Sequence, residues 1–136
     1  MVEIDINYLG DLRCEATHGP SGTKILTDAP ADNMGKAEFF SPTDLVATAL
    51  GTCIITTLAI VARRHGFDLE GAAVQVTKAM TQQGPRQIAE LNVNLTIRGH
   101  YTDEQRLLLE NTSRASPVHK SLADSVSAPV TIEWTE

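Results

Sequence analysis

Residues 41–66 read SPTDLVATALGTCIITTLAIVARRHG. From Leu45 to Ala62 eighteen residues pass without a charge, and Arg63, Arg64 and His65 follow as a basic flank. That length is the threshold for a transmembrane helix, and such a flank marks a cytoplasmic end. Four threonines (Thr48, Thr52, Thr56, Thr57), Gly51 and Cys53 interrupt the run, however, and it is embedded among alternating strand patterns. It is therefore read as a long helix buried on most sides rather than a membrane span. Ser41 is its N-cap, Pro42 suits the first helical position, and Asp44 favours the positive end of the dipole. Gly66 supplies the left-handed terminator. So small a domain must wrap other elements, or a second subunit, around such a helix.

Before this helix, Val2, Ile4, Ile6 and Tyr8 alternate with Glu3, Asp5 and Asn7, the pattern of a half-buried strand. Leu12, Cys14 and Ala16 alternate in a second strand, and Thr23 to Thr27 makes a third after the Gly19-Pro20-Ser21-Gly22 turn. Residues 28–41 have no sustained period and read as a functional or mobile loop. After the helix, Val74, Val76 and Met80 mark a fourth strand, and Leu91, Val93, Leu95 and Ile97 a fifth. Ile88 falls on the opposite parity from Leu91, which predicts a bulge near Ala89-Glu90. Thr102 to Gln105 is a capping box for a helix through Arg114, and Ser116-Pro117 opens a short third helix to about Ser125. Val130, Ile132 and Trp134 form the last strand. The order βββ-α-ββ-αα-β has strands in hairpin-like pairs, which predicts an α+β fold as a single domain over residues 1–136.

The composition, 42% hydrophobic and 21% charged, supports a packed core. A net charge of −6 argues against nucleic acid or an anionic membrane surface as a partner. Cys14 and Cys53 are too few for a disulfide scaffold, and Met1 to Asp5 have neither the basic nor the apolar region of a signal peptide. A cytoplasmic, reduced protein is the expectation.

Chemistry is sparse. There is no phosphate-binding glycine loop, no cysteine pair at zinc spacing, and His18, His65, His100 and His119 are widely separated, so neither metal nor cofactor is expected. Ser116 and His119 share one short helix in which the serine already caps, a poor hydrolase pair. Cys53 stands out, near the middle of the uncharged helix. Its bland reading is a small buried hydrophobe, inert in apolar surroundings. Reactivity needs a cation brought to it from elsewhere in the fold.

The block from Thr27-Asp28-Ala29-Pro30 through Ser41-Pro42-Thr43-Asp44-Leu45 to Cys53, then Ser116-Pro117-Val118-His119-Lys120-Ser121-Leu122, closely resembles the OsmC/Ohr family of osmotically inducible and organic hydroperoxide resistance proteins. The resemblance covers essentially the whole chain. It implies an intertwined homodimer of OsmC-like α+β fold. It also implies thiol peroxidase chemistry, in which a peroxidatic cysteine on the central helix attacks an organic hydroperoxide. By motif position that cysteine is Cys53.

The family's resolving cysteine falls at Ser116, which keeps the helix cap but forms no disulfide. Cys14, whose parity groups it with Leu12 and Ala16, is expected in the core. Many members carry a glutamate ten residues before the peroxidatic cysteine, paired with an arginine that activates the thiol. Here that position is Thr43, and the acid is Asp44. Nine helical residues put Asp44 about 13.5 Å and half a turn from Cys53, so it acts only by orienting an arginine or as an ordinary first-turn acid. Arg13, on an N-terminal strand, and Arg86 are the candidate activating cations, with Arg13 favoured. The resulting expectation is a one-cysteine peroxidase using an external thiol or dithiol. Its rivals are an OsmC-like protein that binds a small apolar molecule with Cys53 merely packed, and a redox sensor in which Cys53 is regulatory.

Overall fold

A computed structural model describes residues 1–136. It contains β1 (Ile4–Gly10), β2 (Arg13–His18), β3 (Lys24–Asp28), α1 (Pro42–Arg64), β4 (Ala73–Met80), β5 (Ile88–Arg98), α2 (Asp103–Thr112), α3 (Pro117–Ser121) and β6 (Val130–Thr135). Two three-stranded sheets, β1-β2-β3 and β4-β5-β6, and the helices make a mixed α+β fold. The chain divides into two compact units, Met1–Val46 and Ala47–Glu136, with the boundary inside α1.

In the N-terminal unit both strand pairs are antiparallel. The register sets Ile6 opposite Ala16, Tyr8 opposite Cys14, and Ala16 opposite Ile25. Directly paired residues share a face, so Ile4, Ile6, Tyr8, Cys14, Ala16 and Ile25 line one side of the sheet. The alternation expected of a half-buried β1 is present, but its burial is not: every residue of β1 before Gly10 is exposed. Cys14, expected in the core, is half-buried on this apolar face.

The loop after β3 is tied down rather than free. A short 3₁₀ turn (Ala31–Asn33) ends at Met34 with φ +69°, and the Ala29 and Asp28 amides donate to the carbonyls of Leu12 and Phe40. The 3₁₀ turn was not visible in the periodicity, because three residues give no repeat.

The C-terminal unit holds the core. Leu91, Val93, Leu95 and Ile97 alternate inward along β5, and Leu50, Ile54, Leu58, Leu69 and Leu109 are buried with them. Ala89 is the extra residue of a bulge, since Ala79 pairs with Glu90 and Met80 with Ile88. The last strand, β6, whose partner and direction the sequence leaves open, runs parallel to β5. Parallel pairing needs a crossover, and α2 and α3 supply it.

Both later helices stop early. Thr112 Oγ1 donates to the Leu108 carbonyl and Ser113 Oγ to that of Glu110, local bonds that compete with further helix, so α2 ends at Thr112 rather than Arg114. In α3, Leu122 turns extended (ψ 146°) and closes the helix at Ser121, four residues before the expected end.

Helix α1 is long and apolar enough to cross a membrane by length and composition alone. The sequence predicts burial on most sides, but the structure buries only one. Ala47, Leu50, Gly51, Ile54, Leu58 and Ala62 form one buried stripe, while Thr48, Thr52, Thr56 and Ile60 are exposed at a spacing of four. Thr52 Oγ1 satisfies itself on the Thr48 carbonyl.

Gly51 sets the approach of α1 to β4. A Cβ there would lie 2.7 Å from Val76 Cγ2 and 3.3 Å from Val74 Cγ1. Overpacking of this kind costs about 1–3 kcal/mol, against about 1 kcal/mol regained in helix propensity. Gly51→Ala is therefore expected to destabilise the protein by about 1 kcal/mol net by denaturant titration. In a Val76→Ala background the same change costs clearly less; an equal cost in both backgrounds would contradict the contact.

Candidate active site

Cys53 lies on α1 between Leu50 and Ile54 of the buried stripe and the exposed Thr52 and Thr56. Its side chain is half-buried and free of any disulfide. The helix that carries it is fixed at its start by a reciprocal cap. Ser41 Oγ accepts from the Asp44 amide (3.0 Å), and Asp44 Oδ2 accepts from the Ser41 amide (2.9 Å). Asp44 thus performs the helix-start role, satisfying one of the backbone donors that a first turn leaves unpaired. At the other end Gly66 adopts φ +82°, where a side chain would be strained.

Ser116 is in the same C-terminal unit as Cys53 and is wholly buried. Its Oγ accepts from the His119 amide at 3.0 Å, and its carbonyl accepts from the Lys120 amide at 3.1 Å. His119 Nε2 lies 3.2 Å from the Ala128 carbonyl, which ties α3 to the segment entering β6. Serine is therefore a working N-cap here, with Pro117 at the first helical position.

Arg13 and Asp44 fall in the N-terminal unit, and Arg86 is exposed in the β4–β5 turn of the C-terminal one. Arg13 opens β2 directly opposite Asp28. Its Nη2 donates to Asp28 Oδ2 and to Glu38 Oε2, both at 3.1 Å, and its guanidinium lies 4.8 Å from the Phe39 ring centroid. The two carboxylates differ. The Asp28 side chain is 1% exposed and the Glu38 side chain 53%. Asp28 Oδ2 also accepts from the Glu38 amide at 3.2 Å, so one buried oxygen fastens both the arginine and the returning loop.

Burial pushes the Asp28 carboxyl up, but the Glu38 amide and the Arg13 guanidinium outweigh it and hold the pKa below the ordinary value. Asp28 and Glu38 went unnoticed as site residues in the sequence. Asp28 belongs to the Thr27-Asp28-Ala29-Pro30 block, but its partner appears only once the β2–β3 register sets it across from Arg13.

A carboxyl whose pKa is lowered on folding contributes stability above its unfolded pKa and loses it as pH falls through the folded value. Asp28→Asn is therefore expected to melt at a lower temperature than wild type at pH 7. The gap should begin to narrow only below the ordinary aspartate range and close as the pH falls through the lowered pKa of folded Asp28. Thermal melts from pH 7 to 2.5 check this, and a gap independent of pH would contradict it.

No arrangement of three or more histidine, cysteine or acidic side chains capable of holding a metal ion is present.

The family model described as OsmC-like protein matches residues 35–133, a stretch that includes Cys53 and Ser116 and leaves out Arg13 and Asp28. A Psychrobacter arcticus protein named for osmotic stress induction and a detoxification response is 39% identical, with a TM-score of 0.91 over 98% of this chain and 96% of that one. An OsmC-like protein of Mycoplasma pneumoniae (17% identical, TM-score 0.83, 100% and 98% covered) shares the fold. So does the organic hydroperoxide resistance protein OhrB of Bacillus subtilis (14%, 0.70, 98% of each chain). No curated protein matches. With the family model spanning most of the sequence and a 39% identical neighbour along nearly all of it, this chain belongs to the OsmC-like protein family.

Proposed function

We propose that the protein is a homodimeric thiol peroxidase that reduces organic hydroperoxides through Cys53 by a one-cysteine cycle. The observation that carries this reading is the position of Cys53, inside the family-matched stretch on the central helix and half-buried rather than sealed in the core. The thiolate attacks the distal peroxide oxygen and the O–O bond breaks. Cys53 becomes a sulfenic acid, oxidised by two electrons, and the leaving alkoxide takes a proton and departs as the alcohol. Because Ser116 stands at the family's resolving position, an external thiol or dithiol in a reducing cytoplasm condenses with the sulfenic acid, releasing water. A second thiol equivalent then restores Cys53 and leaves with the reductant as a disulfide.

A cation that favours the thiolate is part of this reading, with Arg13 first and Arg86 second. Free cysteine ionises near pH 8.5. Iodoacetamide is expected to label Cys53 faster than Cys14 at neutral pH. Removing the activating arginine slows the labelling of Cys53, so Arg13→Ala and Arg86→Ala identify it. A Cys53 that labels no faster than Cys14 would support the packed-cysteine or ligand-binding reading instead.

The dimer rests on the uncovered face of the N-terminal sheet. Ile4 (58% exposed), Ile6 (65%), Tyr8 (66%) and Ile25 (46%) stand on its apolar side. Monomeric proteins rarely leave so continuous an apolar surface in water.

A further inference from the structure

We propose that the free edge of β6 pairs antiparallel with β6 of a second copy, about a twofold axis at Ile132. β6 is the outermost strand of its sheet and is bonded only to β5. The Val93 amide donates to the Pro129 carbonyl, and the Gly99 amide to that of Thr135. The odd-numbered residues of β6 therefore turn their backbone groups toward β5. Val130, Ile132 and Trp134 turn theirs the other way, so their amides and carbonyls line an edge that no other strand covers.

This edge matches itself. Centred on Ile132, the antiparallel pair sets Val130 opposite Trp134 and gives every outward amide an outward carbonyl. On the solvent face Thr131 then stands opposite Glu133 in both halves, so no like charges meet. Centring on Glu133 instead would oppose two carboxylates and carry Val130 beyond the strand end. Centring on Thr131 would carry Trp134 past the strand start.

The charges beside the edge are complementary in the same register. A groove of about 460 Å³ is lined by Val130, Thr131 and Ile132 and, from α2 and the turn after it, by Glu110 and Arg114. Glu110 lies at the Trp134 end, where its Oε1 accepts from Trp134 Nε1 at 3.4 Å. Arg114 follows one turn later in the sequence. Because Trp134 of one copy meets Val130 of the other, the acid of one groove faces the base of the second.

The edge belongs to the C-terminal unit, and the apolar face behind the proposed dimer belongs to the N-terminal one, so the two contacts are separate. An isolated strand pair is marginal by itself, and this contact forms at submillimolar rather than micromolar concentration. It does not depend on Cys53 being reactive.

Residue-resolved amide exchange of the wild type at low micromolar and at submillimolar concentration reads the contact. The Val130, Ile132 and Trp134 amides are expected to gain protection with concentration. Those of Thr131, Glu133 and Thr135, which face β5, should not change. Thr131→Glu, at an exposed position, opposes carboxylates in both halves and should weaken association about two- to thirtyfold, the range of two cross-strand pairs. Adding Glu133→Lys should restore it. The same exchange pattern is expected in Ile6→Glu, so loss of the N-terminal contact does not hide the result. Outward amides that exchange equally at both concentrations, or a Thr131→Glu protein that associates as the wild type does, would overturn the proposal and leave the edge to a different protein chain.

Discussion

Cys53→Ser is expected to abolish turnover of an organic hydroperoxide, a loss of at least about a thousandfold, in line with removal of other catalytic nucleophiles. Serine keeps the size of the side chain and its place on α1. It cannot ionise to a useful nucleophile near neutrality, and it has no sulfur to oxidise. Cys14→Ser is the control. Cys14 sits on the apolar face of the N-terminal sheet, between Tyr8 on β1 and Thr27 on β3, and in the proposed cycle it carries no step. Its serine variant should turn over near the wild-type rate, measured as hydroperoxide consumed with a dithiol in excess. If instead Cys14→Ser is the inactive variant, Cys53 is the packed cysteine and the assignment is reversed.

Ile6→Glu is expected to convert a tight dimer into a monomer at micromolar concentration. Ile6 is at the middle of the exposed apolar face, with Ala16 across from it and Ile25 one strand further on. Burying an isoleucine side chain is worth about 1.5–3 kcal/mol. Forcing an unpaired carboxylate into the same interface costs several kcal/mol more. Across a symmetric dimer the change is made twice, so the dissociation constant should rise by at least about a thousandfold. Sedimentation equilibrium checks this. A wild-type chain that sediments as a monomer at micromolar concentration would rule the dimer out, and an Ile6→Glu protein that still dimerises tightly would place the interface elsewhere.

The legible parts of this chain were those decided by local chemistry. Ser41 with Asp44, Thr102 with Gln105 and Gly66 marked helix ends because caps act within one turn, and each makes the expected bonds or dihedral. The bulge at Ala89 was visible as a break in parity. What the sequence hid depended on partners distant along the chain. Alternation in Val130 to Trp134 marks a strand equally well whether it pairs parallel or antiparallel, so the direction of β6 could not be read.

Burial was misjudged for a related reason. An uncharged helix and an alternating β1 both announce apolar surface, but neither says whether this chain or another copy covers it. In α1 only one stripe is covered, and in β1 none. The site divides the same way. Cys53 and Ser116 stood out through motif position, whereas Asp28 and Glu38 came to light only with the β2–β3 register and the loop that returns past it.

The most direct measurement is intact-mass analysis of the wild type and Ser116→Cys after one equivalent of tert-butyl hydroperoxide, with and without dimedone. The substitution removes a cap worth on the order of 1 kcal/mol, so a modest loss of stability is expected with it. Wild type should form a dimedone adduct on Cys53 and, at excess peroxide, over-oxidise to the sulfinic acid, since no second thiol intercepts it. Ser116→Cys should form a disulfide between Cys53 and the new thiol, with the dimedone adduct lost. A Cys14–Cys53 disulfide in wild type would contradict the one-cysteine cycle, and an unmodified Cys53 at millimolar hydroperoxide would contradict peroxidase function.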